Sequence, residues 1–193
     1  MIRPILLALG GVILAGAGLA QEKLAGDPEE GRKLVRQCQT CHGRDGVARI
    51  PIAPHIGGEP MPYLTAQLTA FREGTREHEM MTVVARGLTD QAIANLAAWY
   101  AQQQVQVVLS APAEDAPEAC VSCHGADGLS GAPDVPNLAG ESTIYLETQL
   151  KAFRNGKRTH DIMSDIAAEL SDQDIRALAS WYAAIEFSVL TQD

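Results

Sequence analysis

Basic charge is scarce in this chain. Its 193 residues hold 15 Lys and Arg against 24 Asp and Glu, a net charge of -9, so it offers no electrostatic footprint for a phosphate backbone, and nucleic acid is excluded as a partner. Aromatic residues are also few, at 5%, which leaves a thin core for a protein of this length. No run of residues alternates as a strand does, and no βαβ pattern appears, so the expected fold class is all-α. Long apolar stretches are missing except at the start. Ile5 to Ala20 is too short for a comfortable membrane span, follows the single basic residue Arg3, and ends in Gly18, Leu19 and Ala20 before Gln21. This is the layout of a secretory signal peptide over residues 1–20, with the mature chain starting near Gln21. The other reading is an uncleaved anchor that tethers the protein to the outer face of the inner membrane. Both export the body of the chain, so the expected location is the periplasm. With 46% hydrophobic and 20% charged residues, that body is expected to fold.

Residues 38–100 match residues 120–182 at a constant offset of 82 without a gap, and about 30 of the 63 positions are identical. CQTCHGRDG (38–46) aligns with CVSCHGADG (120–128), YLTAQLTAFREGTREH (63–78) with YLETQLKAFRNGKRTH (145–160), and LTDQAIANLAAWY (88–100) with LSDQDIRALASWY (170–182). Two copies are too few for a solenoid and imply two small domains, each with its own core. The stretch Ala101 to Pro117, rich in polar residues and ending in prolines, reads as a surface connection. The boundaries fall at 21–104 for the first domain, 105–117 for the linker and 118–193 for the second domain.

Helix signals recur in each copy. Asp27 is an N-cap with Pro28 at the first helical position and Glu29 and Glu30 in the first turn, opening a helix that delivers the first cysteines. Gly43 to Gly58 is an irregular loop. Tyr63, Gln67 and Phe71 then recur every four residues, and Thr89 or Asp90 caps a last helix whose stripe is Ile93, Leu96, Ala97 and Tyr100. In the second copy Pro112 and Pro117 shorten the first helix.

All four cysteines fall in C-x-x-C-H motifs: Cys38, Cys41 and His42, then Cys120, Cys123 and His124. Two thiols one helical turn apart can add to the two vinyl groups of one haem, and the next residue is placed to put an imidazole nitrogen on the iron. Each motif is therefore expected to hold one covalently attached haem c, two in all, and the apolar macrocycle would thicken the thin core. A thioredoxin-like dithiol would need a preceding strand and no His; a zinc site would need four ligands at another spacing; a disulfide between cysteines three apart would be strained.

The motif CQTCHGRDG, the Pro-containing loop, Y-L-x-x-Q-L-x-x-F-R-x-G-x-R, a Met, L-[ST]-D-Q-x-I and the terminal W-Y helix together resemble the two-haem class I cytochromes of the cytochrome c4 family, in both halves and over nearly the whole mature chain. The resemblance implies two tandem class I cytochrome c domains related by internal duplication and a pseudo-twofold axis. It implies a methionine ligand seven residues before the Leu of the last-helix cap, which is Met81 in the first copy and Met163 in the second. It also implies a small residue seven before the first Cys, where helix one crosses the last helix: Gly31, and Ala113 in the second copy. His with Met saturates the iron and leaves a site that moves electrons and has no open position for a substrate. Met61 and Met80 then read as core filler.

Other repeated polar residues stay open in role. Arg72 with Arg154 and Arg76 with Arg158 suit either solvated helix ends or haem propionates. Gln67 and Gln149 lie on the apolar stripe and are expected to be buried and hydrogen bonded near the haem, whereas His55, opposite Asn137, reads as a loop surface residue. His78 and His160 come three residues before the methionines and read as propionate contacts, or as rival axial ligands. The expected function is a periplasmic electron carrier, not an enzyme, passing single electrons from a quinol-oxidising complex or dehydrogenase to a terminal oxidase. The alternative is the haem subunit of a periplasmic dehydrogenase such as a flavocytochrome oxidising sulfur compounds. A di-haem peroxidase is disfavoured by the two methionines.

Overall fold

The computed structural model describes residues 24–190; the expected signal segment lies outside the described residues. Helix α1 (Pro28–Leu34) starts where the side chain of Asp27 accepts the main-chain N–H groups of Glu29 and Glu30, satisfying two donors that the first turn leaves free. It continues through a 3-10 turn (Val35–Gln37) into α2 (Gln39–His42). After a loop come α3 (Met61–Glu73), α4 (Met81–Arg86) and α5 (Asp90–Ala101), the last capped by Thr89. The second copy supplies α6 (Glu118–His124), α7 (Thr143–Arg154), α8 (Asp161–Ala168) and α9 (Asp172–Ala183), with Ser171 and Asp174 forming a capping box. Helix α3 packs on α4 and α5, and α7 on α8 and α9, so the repeated sequence gives repeated helical units.

The copies differ at the entrance. Helix α1 crosses α5 at Gly31, where an added Cβ would stand 2.0 Å from the Asn95 carbonyl oxygen, so the contact admits only glycine. The Asn95 side chain reinforces it by accepting the Asp27 N–H at 2.9 Å. In the second copy Ala113 lies in a 3-10 turn (Ala113–Asp115) instead of at a helix crossing, because Pro112 and Pro117 flank it. A cleft of about 260 Å³ remains on the same side of α9, lined by Ala177, Trp181 and Leu109 among others.

Two short strands accompany the helices of this all-α fold, although no run of the sequence alternates as a strand does. β1 (Val105–Val108), within the expected linker, pairs antiparallel with β2 (Glu186–Val189), Val105 facing Val189 and Val108 facing Glu186. Four-residue strands are too short for alternation to stand out in a sequence, yet Val105, Val107, Phe187 and Val189 all turn to the covered side. Val105 lies against Gly58, Val189 against Gly57 and Phe187 against Gly140. The ribbon thus closes over a loop from each copy.

The contact between the copies is reciprocal, as a twofold axis requires. Arg76 donates to Gln149 Oε1 at 2.8 Å, and Arg158, its counterpart, donates to Gln67 Oε1 at 3.1 Å. The His55 ring lies 3.0 Å from the Gly140 carbonyl oxygen, while Asn137 Nδ2 donates to the Gly58 oxygen at 3.0 Å. Each pair is the other shifted by 82 residues.

Candidate haem centres

Each C-x-x-C-H motif forms one helical turn. In the first copy the N–H groups of Cys41 and His42 both reach the Cys38 carbonyl, at 3.2 and 3.0 Å. Gly43 then ends the turn at φ 72, where a Cβ would stand 2.3 Å from the Val47 oxygen, and Gly125 repeats this at φ 76. His42 and His124 are 7% and 6% exposed. Each ring places Nδ1 2.9 Å from a loop carbonyl, Pro54 for His42 and Pro136 for His124. A carbonyl only accepts, so Nδ1 bears the proton and Nε2 keeps its lone pair. Burial lowers the pKa of both rings, favouring this neutral, ligating form.

The residues fit a haem and fit the alternatives poorly. All four cysteines are free thiols. Burial pushes the Cys38 thiol up to about 11, opposed in part by a hydrogen bond with Tyr100, the reverse of the low-pKa thiol that redox dithiols require. Among the described residues no group of three or more His, Cys, Asp or Glu side chains converges to hold a metal ion. Cys38 and Met81 both pack at the edge of the apolar cluster of Val35, Leu64, Phe71, Ile93, Leu96 and Tyr100, and Cys120 at that of Leu146, Ala179, Tyr182 and Ile185.

The two adjacent methionines separate by exposure. Met80 is 59% exposed, whereas Met81, first residue of α4, is half-buried against the core. In the second copy Ile162 takes the exposed register and Met163 the half-buried one. His78 and His160 have a role not foreseen from the sequence. His160 Nδ1 accepts from the N–H groups of Ile162 and Met163, at 3.3 Å each, while its own N–H donates to Ser164. His78 does the same for Met80, Met81 and Thr82. Both histidines cap the helix that presents the methionine.

The other repeated polar groups make defined contacts within the protein. Arg72 and Arg154 tie the ends of α3 and α7 to the starts of α5 and α9, contacting Asp90 and Asp172 at 2.6 Å each. Arg76 and Arg158 stack on Phe71 and Phe153, 4.5 Å from the ring centroids, and meet Gln67 and Gln149 between the copies. His55 is not the surface residue expected. It stacks on Phe187 and accepts the Ala48 N–H at 2.9 Å. Sequence reasoning passed over the buried carboxylates Glu59 and Glu141, although both copies hold a Glu after a glycine in an irregular loop.

A protein-family model described as "Cytochrome C oxidase, cbb3-type, subunit III" matches twice, over residues 26–99 and 109–181. Cytochrome c4 of Pseudomonas aeruginosa is 35% identical, over 92% of this chain and 94% of that protein. The chain belongs to the cytochrome c4 family. The crystal structure of reduced recombinant cytochrome c4 from Pseudomonas stutzeri superposes with a TM-score of 0.74 at 31% identity, covering 84% of this chain and all of that one. A protein named "Thiosulfate dehydrogenase electron acceptor" from Stutzerimonas stutzeri is 30% identical, over 89% of this chain and 94% of its own length. As a member of the cytochrome c4 family, the protein is a di-haem electron-transfer cytochrome, a carrier and not an enzyme. Among the described residues no helix is long and apolar enough to cross a membrane.

Proposed function

We propose that the protein is a periplasmic carrier with two covalent haem c groups, held by Cys38 and Cys41 with His42 and Met81, and by Cys120 and Cys123 with His124 and Met163. The observation that carries this reading is the repeated turn of two thiols and a buried His, its Nδ1 committed to a carbonyl, with a half-buried Met at the matching position of each copy. When bound, haem supplies a one-electron couple whose potential the axial sulfur raises. The chain supplies a fixed tautomer on each His, an apolar lining and a capped helix behind each Met. Haem quantitation with mass spectrometry tests the assignment: two haems per chain are expected, and one after Cys120→Ser with Cys123→Ser.

The donor in this proposal is a dehydrogenase or a quinol-oxidising complex, and the acceptor a terminal oxidase. The relative named for accepting electrons from thiosulfate dehydrogenase supports a sulfur-compound dehydrogenase as one such donor. Copurification with a dehydrogenase subunit from the native source favours a permanent complex, and a lone two-haem protein favours a shuttle. Charge points to the face that docks. Residues 105–193 hold 5 Lys and Arg against 14 Asp and Glu, whereas residues 21–104 hold 9 against 10. The acidic half is expected to steer a basic partner surface, so the electron-transfer rate under second-order conditions should fall severalfold between low and physiological ionic strength. A rate indifferent to salt would remove this half as the docking face.

A further inference from the structure

Glu59 and Glu141 occupy matched positions in the two copies, 4% and 3% exposed, and lie near enough for the charge of Glu59 to act on Glu141. Among the described residues neither is paired with Lys or Arg, and Glu141 Oε2 is buried without a hydrogen-bond partner. What Glu59 does contact is specific. Its Oε2 accepts the main-chain N–H of Asn137, in the other copy, at 3.0 Å. That N–H belongs to the peptide whose carbonyl, Pro136 O, holds His124 Nδ1 at 2.9 Å. One planar amide therefore has a carboxyl of the first domain on its N–H side and the ligating histidine of the second domain on its oxygen. The other side is looser: the His55 main chain lies near Glu141 without a hydrogen bond to its Oε2, while Pro54 O holds His42 Nδ1 at 2.9 Å.

We propose that Glu59 sets the redox potential of the second domain's haem through the Pro136–Asn137 peptide, and that Glu141, whose contact with the His55 main chain is looser, acts more weakly on the first. The inference rests on His42 and His124 being axial ligands. The physical chain is short. An ionised carboxylate on the N–H pushes electron density toward the amide oxygen, because amide resonance couples the two ends and hydrogen bonds in series reinforce one another. A more basic oxygen draws the Nδ1 proton harder, the imidazole becomes a stronger donor, and the ferric state gains relative to the ferrous. A protonated carboxyl does this weakly. The groups facing the pair are each other, His55, Tyr145 of α7 and Arg49, which lines the cleft beside Glu141. Burial raises Glu59 to about 8 and Glu141 well above the ordinary carboxylate range, the latter helped by Glu59. The potential of the second haem is thus expected to fall as pH rises through that region.

The experiment is spectroelectrochemistry on the two-haem protein between pH 5 and 9, with the haems assigned by their paramagnetically shifted methyl resonances, for wild type, Glu59→Gln, Glu141→Gln and His124→Ala. Gln keeps the acceptor oxygen and removes the charge. At pH 9 Glu59→Gln should raise the reduced-to-oxidised ratio of the second haem at least threefold at fixed applied potential, about 28 mV at 59 mV per decade, flatten its pH dependence, and leave the first haem nearly unmoved. Glu141→Gln should move the first haem by less. Unchanged potentials in both Gln variants, or equal shifts at both haems, would overturn the relay while His124→Ala still perturbs the second haem's spectrum. A His124→Ala spectrum identical to wild type would overturn the ligand assignment beneath it.

Discussion

Replacing Gly31 by valine should unseat the first domain's N-terminal helix and lower the thermal midpoint of that domain by about 12 °C or more, with the second domain's transition unmoved. The cause is backbone against backbone. An added Cβ at Gly31 meets the Asn95 carbonyl oxygen at 2.0 Å and carbon at 2.7 Å, and neither can swing aside as a side chain would. Helix α1 must then lift from α5, taking with it the hydrogen bond from Asp27 N to Asn95 Oδ1. Overpacking that needs backbone movement costs about 3 kcal/mol, and each kcal/mol shifts a domain of this size by roughly 4 to 8 °C. The control is Ala113→Val, at the equivalent position of the second copy, where no helix crosses; its effect should be within about 0.5 kcal/mol. Calorimetry resolving the two domains reads both. A first-domain midpoint unchanged in Gly31→Val would contradict the crossing.

Stability should also depend on pH because of the buried carboxyls. Glu59 is raised to about 8 in the folded protein from an ordinary 4.5, burial being the main cause. The folded state therefore holds a proton that the unfolded chain releases above 4.5, and stability falls as pH rises from about 5 to about 8. At its upper limit the effect is about 4 to 5 kcal/mol. Denaturant titrations of Glu59→Gln should show a flatter profile across this interval. A profile as steep as wild type would mean that Glu59 is already ionised in the folded state.

The helices and the thiol-bearing turns were legible because local rules dictate them. Asp27 followed by Pro28 and two glutamates is a helix start in any context, and a stripe at Ile93, Leu96, Ala97 and Tyr100 needs only periodicity to be read. The offset of 82 also made the second copy a check on the first. Contacts between the copies were not legible. Nothing local pairs Arg76 with Gln149, a glutamine 73 residues away. His55 read as surface because it lies in an irregular loop with the polar Asn137 at the matching position, yet the ring is covered by Phe187 from the C-terminal strand. Strands β1 and β2 hide for a related reason: each is four residues long and finds its partner some 80 residues away. The caps at His78 and His160 escaped because histidine is an uncommon N-cap beside Ser, Thr, Asp and Asn.

Those caps bear on the largest spectroscopic effect to be expected. Met81→Ala should turn one of the two haems from low spin to high spin and let its ferrous form bind carbon monoxide, whereas Met80→Ala should change neither property. The difference follows from register: Met80 is 59% exposed and Met81 is half-buried against the core. His78 is the residue best placed in sequence to replace the lost sulfur, but its Nδ1 already accepts the N–H groups of Met80 and Met81, at 3.3 and 3.4 Å. If re-aiming the ring to put its free Nε2 on the iron pulled Nδ1 out of the first turn of α4, it would cost about 1 kcal/mol and leave two unsatisfied donors. Met81→Ala alone should therefore be high spin, and adding His78→Ala should leave the spin state as it is. The histidine's own contribution is positional. His78→Ala in the otherwise intact protein should keep the haem low spin while the freed helix start lets Met81 detach more often, seen as faster cyanide binding to the ferric haem. A low-spin Met81→Ala spectrum that becomes high spin only in the double variant would show that His78 replaces the sulfur, and the cap would then be too weak to hold it.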